Sequence, residues 1–327
     1  MHKVRISTFV IFITGLALVF LAGFKPIGID RDSLNYINMI QTPFAVDNLY
    51  LREPAFNLIQ IINNIVFENS ITTFFVIFAL LGVTIKLIAI IRGSLYPILS
   101  LAIYIFFYYI LHDLTQIRVG VASGLFLLAI NDRVNERNKK ALIKTLVAVC
   151  FHYSAIMAFV IFAINKNRIN KGFYLLLPVI GIASTLFINA TVLSFVIQFL
   201  PDFISLKIAL YLTVQKNDML NQINVFNFYY STLLIIYTSL ILFIGKNTNK
   251  RDIIYIKLLG LGLFFFYAMS FIPVMAFRMS EFYCIVIVIL FANITDYFKQ
   301  PILYQTLIMM FGIVYFISQG LMHNINF

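Results

Sequence analysis

The sequence predicts an all-α fold, a polytopic integral membrane protein, and three observations carry that prediction. Of 327 residues, 61% are hydrophobic and only 11% are charged, with a mean hydropathy of +0.95. A soluble domain carries about a quarter charged residues, so a soluble enzyme is excluded. The apolar residues gather into blocks of 15 to 21, the length at which a helix crosses a hydrocarbon layer of about 30 Å. The blocks do not alternate with period two, which excludes a β-barrel with a polar lumen.

The elements follow in order. A basic start, Met1 to Arg5, precedes an apolar run from Ile6 to Phe24. That run is too long for a signal-peptide core and has no clear cleavage motif, so it is read as an uncleaved first span starting in the cytoplasm. Pro54–Phe67 is too short to span comfortably and carries Asn57, Gln60, Asn63 and Asn64. Laid along the outer surface or dipping in, it keeps Lys86, Arg92 and the basic stretch Arg133–Lys144 on the cytoplasmic side. Spans are expected at Ile71–Ile91, Leu95–Leu111 and Ile117–Asn131. The next apolar stretch, Ala141–Ile164, has basic clusters on both flanks: Arg133, Arg137, Lys139 and Lys140 before it, Lys166, Arg168 and Lys171 after it. A single crossing would place one cluster outside. A re-entrant helical hairpin keeps both inside, with halves of about 11 residues reaching ~16 Å and a tip at Phe151-His152-Tyr153-Ser154. Further spans are expected at Phe173–Asn189, Phe228–Gly245, Ile253–Ile272, Phe282–Phe298 and Pro301–Gly320. The expectation is one transmembrane domain over residues 1–327, about nine to eleven membrane segments, with outer loops at 25–70 and 190–227.

The net charge of +11, from 24 Lys+Arg against 13 Asp+Glu, fits the positive-inside bias rather than nucleic-acid binding. In this topology 17 basic residues lie on the cytoplasmic side and 7 outside. The two cysteines, Cys150 and Cys284, are too far apart in apolar blocks for a metal or disulfide pattern and read as small buried hydrophobes. The cytoplasmic turns are short and basic, so chemistry is assigned to the outer face. There the loops carry Asp30, Arg31, Asp32, Tyr36, Arg52, Glu53, His112, Asp113, Gln116, Arg118, Arg278 and Glu281.

Arg118 and Arg278 each sit at the mouth of a span, where an arginine needs an anion or dipole. Snorkelling to lipid headgroups, or an Arg278–Glu281 pair one turn apart, is the structural alternative. His152 halfway into a membrane marks a site or a hydrogen bond to a neighbouring carbonyl. Glu53 before Pro54 is explicable as helix capping alone. Asp32 and Tyr36, four apart, share one helix face. No block carries Asp or Glu near its centre, which argues against an ion-coupled transporter. Gly260-Leu261-Gly262 reads as helix packing. No Walker motif, zincin motif, nucleophile elbow or acidic metal cluster occurs, so neither a metal nor a cofactor is expected. Asn189-Ala190-Thr191 matches a glycosylation acceptor.

Several short motifs then recur in a recognisable order. Asp32-x-x-x-Tyr36 in a long first outer loop is followed by Glu53-Pro54-x-Phe56 and Gln116-x-Arg118-x-x-x-Ala122. Phe151-His152-x-Ser154 follows between short apolar halves, and Arg278-x-x-Glu281-x-Tyr283 precedes a late span. From Asp30 to Tyr283 the chain resembles the EpsG-like family of bacterial polysaccharide polymerases, a branch of the Wzy-type O-antigen polymerases. The resemblance implies a GT-C-like glycosyltransferase architecture in the bacterial inner membrane, with a groove for a polyprenyl tail and a site facing the periplasm. The implied reaction is a metal-independent glycosyltransfer that joins oligosaccharide repeat units carried on undecaprenyl pyrophosphate. The implied partners are that lipid-linked oligosaccharide, membrane lipid and a chain-length regulator protein.

That chemistry places demands the residues can meet. Negative charge grows on a pyrophosphate as the glycosidic bond breaks, and arginine binds phosphate oxygens through a planar fork that stays charged. Arg118 and Arg278 are the candidates. The acceptor hydroxyl needs a base, for which His152, Asp32 and Glu53 are candidates. His152 is favoured as pyrophosphate or base partner, and Asp32 or Glu53 as the acceptor-side group. Tyr36, Gln116, Arg52, His112, Glu281 and Tyr283 are the expected substrate-binding residues. A ligase that moves finished glycan, or a lipid-linked oligosaccharide flippase, is the competing function.

Overall fold

A computed structural model describes residues 2–41, 52–185, 187, 223–245 and 248–319. Within them the chain is helical and holds no strand, as expected of an all-α membrane protein. Among the described residues three helices are long and apolar enough to cross a membrane, Ile71–Gly93, Pro97–Thr115 and Pro301–Gln319. A fourth span results if the broken pair Pro273–Cys284 and Ile287–Tyr297 counts as one. Other apolar helices, including Ser7–Gly23, Lys171–Ser184 and Phe228–Phe243, are shorter. The chain forms two compact units, one of residues up to Ile164 plus those from Ile287 onward, the other Asn165–Val286.

In the first unit α1 (His2–Gly23) packs on α4 (Ile71–Gly93). Between them, α2 (Ser33–Gln41) is capped by Asp30, whose Oδ1 accepts the amides of Asp32 at 3.0 Å and Ser33 at 2.9 Å. Its other oxygen pairs with Lys25 at 2.7 Å. This ion pair lines an apolar cavity of about 280 Å³ together with Phe20, Leu21, Phe24, Tyr109 and Leu114. Next, α3 (Pro54–Phe67) begins with proline at its first position, where no amide is needed. It ends with Glu68 and Asn69 in the left-handed region, φ 51° and 60°. Ser70 then caps α4, accepting the amide of Thr73 at 3.3 Å.

α5 (Pro97–Tyr104) continues as a π-helix over Ile105–Thr115, and α6 (Ile117–Val134) follows after one residue. The wide turn is seen in the bond from the Gln116 amide to the Leu111 carbonyl, 2.8 Å and five residues back. Small residues let these helices approach closely. A Cβ on Gly120 would meet the His112 carbonyl at 2.6 Å, and one on Gly124 would meet Ile85 at 2.9 Å.

α7 (Asn138–Phe151) runs back along α6 and breaks at His152, whose φ of −155° and ψ of 123° are extended. A 3₁₀ segment, Tyr153–Phe159, and α8 (Val160–Ala163) then return along α7. Arg133, at the end of α6, contacts both ends of this excursion. It reaches Asn138 Oδ1 at 3.1 Å and the Ile161 carbonyl at 3.4 Å. Residues 138–164 therefore start and finish beside the same end of α6, a helical hairpin with His152 at its tip. The ascending half, 14 residues, is longer than expected and climbs about 21 Å.

The second unit contains α9 (Lys171–Ser184), α10 (Phe228–Phe243), α11 (Lys250–Ala268) and α12 (Pro273–Cys284). Asn170, Asn227 and Asn249 cap the first three through their side-chain oxygens. Gly260 and Gly262 are packing positions, the first under Tyr237 and the second under Cys284 Sγ. The first unit resumes with α13 (Ile287–Asn293) and α14 (Pro301–Gln319).

The expected topology needs four corrections. His112–Gln116 is not an outer loop: His112 and Asp113 lie buried in the π-helix. Lys86 is not in the cytoplasm but inside α4, 2.9 Å from both oxygens of Asp113, with each side chain 1% exposed. The apolar interior therefore does hold an acid, because Tyr104 Oη (2.7 Å) and the Gly120 carbonyl (2.6 Å) complete the polar shell of the pair. Cys150 is exposed rather than buried, whereas Cys284 is buried as expected. The Asn189 acceptor motif and most of the 190–227 loop lie outside the described residues.

Candidate functional site

The residues that gather polar chemistry in the first unit come from four separate elements. Glu53 precedes α3, Arg118 opens α6, His152 is the hairpin tip and Tyr36 lies on the buried face of α2. They meet beside the aromatic stack of Phe56, Phe74 and Phe78. Phe78 is seven residues into α4, so the site sits about 10 Å along that helix from its Ile71 end.

Glu53 is the hub. One oxygen pairs with Arg118 Nη1, and the other lies 3.0 Å from His152 Nδ1. The glutamate is not the side-chain cap that its place before Pro54 suggested, since its carboxylate makes no capping bond to α3. Tyr153 Oη donates to the Arg52 carbonyl at 3.0 Å. The hairpin tip is thus latched twice onto the Arg52–Glu53 dipeptide. Fractional exposures of 5% for the Glu53 side chain, 21% for Arg118 and 12% for His152 leave the cluster mostly buried but accessible at the two donors.

The electrostatics follow from the geometry. Burial would raise the Glu53 carboxyl, but the His152 hydrogen bond and the Arg118 charge outweigh it and hold it at about 2. Burial pushes the Tyr36 phenol up to about 12, with Arg118 opposing and Asp32 and Glu53 adding to it. Arg118 also lies 5.4 Å from the ring centres of Tyr36 and Phe56. The aromatic faces therefore fix the guanidinium independently of its anionic partner. Arg118 Nε is buried without a hydrogen-bond partner, and so is Asn57 Oδ1 one turn further along α3. Unpartnered buried polar atoms are costly, and a ligand that binds both would remove the cost.

The remaining expected site residues fall in different places. Asp32 stands at the start of α2, one turn before Tyr36. Arg52 is occupied with structure, donating to the Met39 carbonyl at 2.9 Å and to Gln60 Oε1 at 3.4 Å. Gln116 joins the π-helix to α6 and is half-buried. His112 is fully buried, its Nδ1 3.1 Å from Ser123 Oγ. Arg278, Glu281 and Tyr283 belong to α12 in the second unit. Arg278 is exposed there, Glu281 is half-buried, and Tyr283 is buried and stacked on Phe265 at 5.7 Å.

Sequence reasoning missed Ser123 and the Lys86–Asp113 pair. A signal existed for the pair: a lysine inside a 23-residue apolar helix must find an anion, and Gly120 and Gly124 mark the helix close enough to enclose it. Among the described residues no three His, Cys, Asp or Glu side chains converge as a metal site.

A model of the EpsG family matches residues 8–326, nearly the whole chain. No curated protein and no solved structure matches the chain.

Proposed function

Because the chain belongs to the EpsG family, we propose that it is a polysaccharide polymerase of the Wzy type. Its substrates are oligosaccharide repeat units on undecaprenyl pyrophosphate, joined at the periplasmic side of the bacterial inner membrane. The observation that carries this reading is the convergence of Arg118 and His152, from separate elements, on the single carboxylate of Glu53. Two donors aimed at one anion, in a recess beside the membrane, are what a lipid-linked diphosphate requires.

In the reaction a hydroxyl of the acceptor unit attacks the anomeric carbon of the donor chain, and the lipid diphosphate leaves. Arg118 and His152 stabilise the charge growing on the leaving group. Arg278, exposed on α12 of the second unit, is proposed as a phosphate-binding residue in its own right. Asp32 and Tyr36 are assigned to the acceptor side.

Removing a donor of this kind costs about 10²–10³ in rate. Arg118→Ala should therefore abolish long chains in cells while the protein still inserts and accumulates. Arg118→Lys should rescue poorly, because an ammonium lacks the planar fork. Wild-type chain lengths in Arg118→Ala would remove the residue from the mechanism.

The flippase reading gains one observation, the Lys86–Asp113 pair inside the helices. That cluster is neutral and internally satisfied by Tyr104 and the Gly120 carbonyl, which suits an anchor for α6 better than a transport path. Purified protein given lipid-linked repeat units alone separates the three activities. A polymerase makes a ladder, whereas a ligase and a flippase leave single units.

A further inference from the structure

We infer that Glu53 occupies the place of the donor's phosphate in the substrate-free protein, and that donor binding exchanges the two and frees the carboxylate to take the acceptor's proton. The inference rests on the polymerase reading above and assigns Glu53 two successive roles within it.

Four features of the site support the exchange. First, Glu53 bridges Arg118 and His152 with one oxygen each, as a phosphoryl group would. Second, it performs no local duty that would keep it there, since it makes no side-chain cap to α3. Third, Arg118 does not depend on it for position, being held over the Tyr36 and Phe56 rings. Its buried Nε has no partner in this state, so the guanidinium has spare capacity for a ligand with more oxygens than a carboxylate. Fourth, the influences on Glu53 oppose one another: burial raises its carboxyl, and His152 and Arg118, with a smaller contribution from its own backbone amide, lower it. Once phosphate takes those partners, burial outweighs the backbone bond that remains and the carboxylate becomes a competent base.

The step balances. The acceptor oxygen forms a bond to the anomeric carbon as the bond from that carbon to the phosphate oxygen breaks. The bonding pair leaves on the diphosphate, held by Arg118 and His152, and the hydroxyl proton passes to Glu53. The base is thus released by the donor itself, so a hydroxyl or water is activated only when a donor is seated.

The test is direct binding of inorganic pyrophosphate to the full-length protein in detergent, by titration calorimetry, for wild type, Glu53→Gln, Glu53→Ala and Arg118→Ala. An internal competitor reduces apparent affinity by the fraction of protein it leaves open. Both Glu53 variants should accordingly bind pyrophosphate about tenfold more tightly than wild type, while losing chain extension. Equal or weaker binding in both, with binding still dependent on Arg118, would overturn the exchange and leave the polymerase reading standing. Pyrophosphate binding that is absent throughout, or indifferent to Arg118→Ala, would overturn both. Elution volume and melting temperature of each variant establish that it is folded. The alanine variant guards against a glutamine that re-forms the bridge.

Discussion

At the scale of single residues, the opposed influences on Glu53 make a prediction about pH. In the free protein its carboxyl is held at about 2, so kcat/KM, which reports the free enzyme, should show no acidic limb from this group. In the donor complex Arg118 and His152 are engaged with phosphate, and the carboxyl rises above its ordinary value of about 4.3. A base must be unprotonated, so kcat should fall as pH drops through the raised value. An acidic limb in kcat that is missing from kcat/KM is the expected signature. The groups facing Glu53 are Arg118 from α6, Tyr36 from α2, and His152 and Tyr153 from the hairpin tip. Of these, histidine is the residue type whose ordinary value lies closest to neutrality. The limb should survive in His152→Gln; its loss there would assign it to the imidazole. Glu53, Arg118, His152 and Tyr36 were all legible as polar groups in an apolar chain. Their pairing was not, because Glu53 lies 65 residues from Arg118 and 99 from His152. Lys86 was misplaced for a related reason: the charge rule sends a lysine to water when its partner, 27 residues away, is unknown.

At the scale of elements, a reversal of the chain at Phe151–Ser154 was legible because the basic clusters on both flanks favour a return to one side. What composition did not reveal was its unequal build, a long α-helix going in and a 3₁₀ segment coming out. The tip must present His152 to Glu53 and Tyr153 to the Arg52 carbonyl, and the extended backbone at His152 does this at the cost of helix continuity. Ala141 is fully buried and would report nothing, so accessibility is better tested at two exposed positions, Lys139→Cys and Asn167→Cys. In a background lacking Cys150 and Cys284, both should escape an impermeant thiol reagent added outside cells and react after permeabilisation. Labelling of one from outside would make the segment a crossing. The Lys86–Asp113 pair makes a second prediction at this scale. Removing one partner strands a buried charge, so Lys86→Met and Asp113→Asn should each destabilise the fold by about 3–5 kcal/mol. The double variant should recover much of that loss, because no charge remains unpaired. A double variant as unstable as the sum of the singles would remove the pair as the link between α4, the π-helix and α6.

For the whole molecule, fold class was readable from composition alone, since no soluble core could bury so many apolar residues. The order of short motifs pointed to the same family as the match over residues 8–326. Motif order cannot tell whether residues distant in sequence serve one ligand, and this matters most for the two arginines. Arg118 belongs to the first unit and Arg278 to the second. Both arginines are proposed to bind phosphate, and each assignment is tested at its own residue. Pyrophosphate affinity should then fall in both Arg118→Ala and Arg278→Ala. Orthophosphate, with one phosphoryl group, should also lose affinity in Arg118→Ala, since its carboxylate-bridged seat lies between Arg118 and His152. Titration of both anions against the two variants checks this pattern. Unchanged pyrophosphate binding in Arg278→Ala, with chain extension still lost, would move Arg278 to the sugar or acceptor side and leave Arg118 and His152 as the diphosphate site.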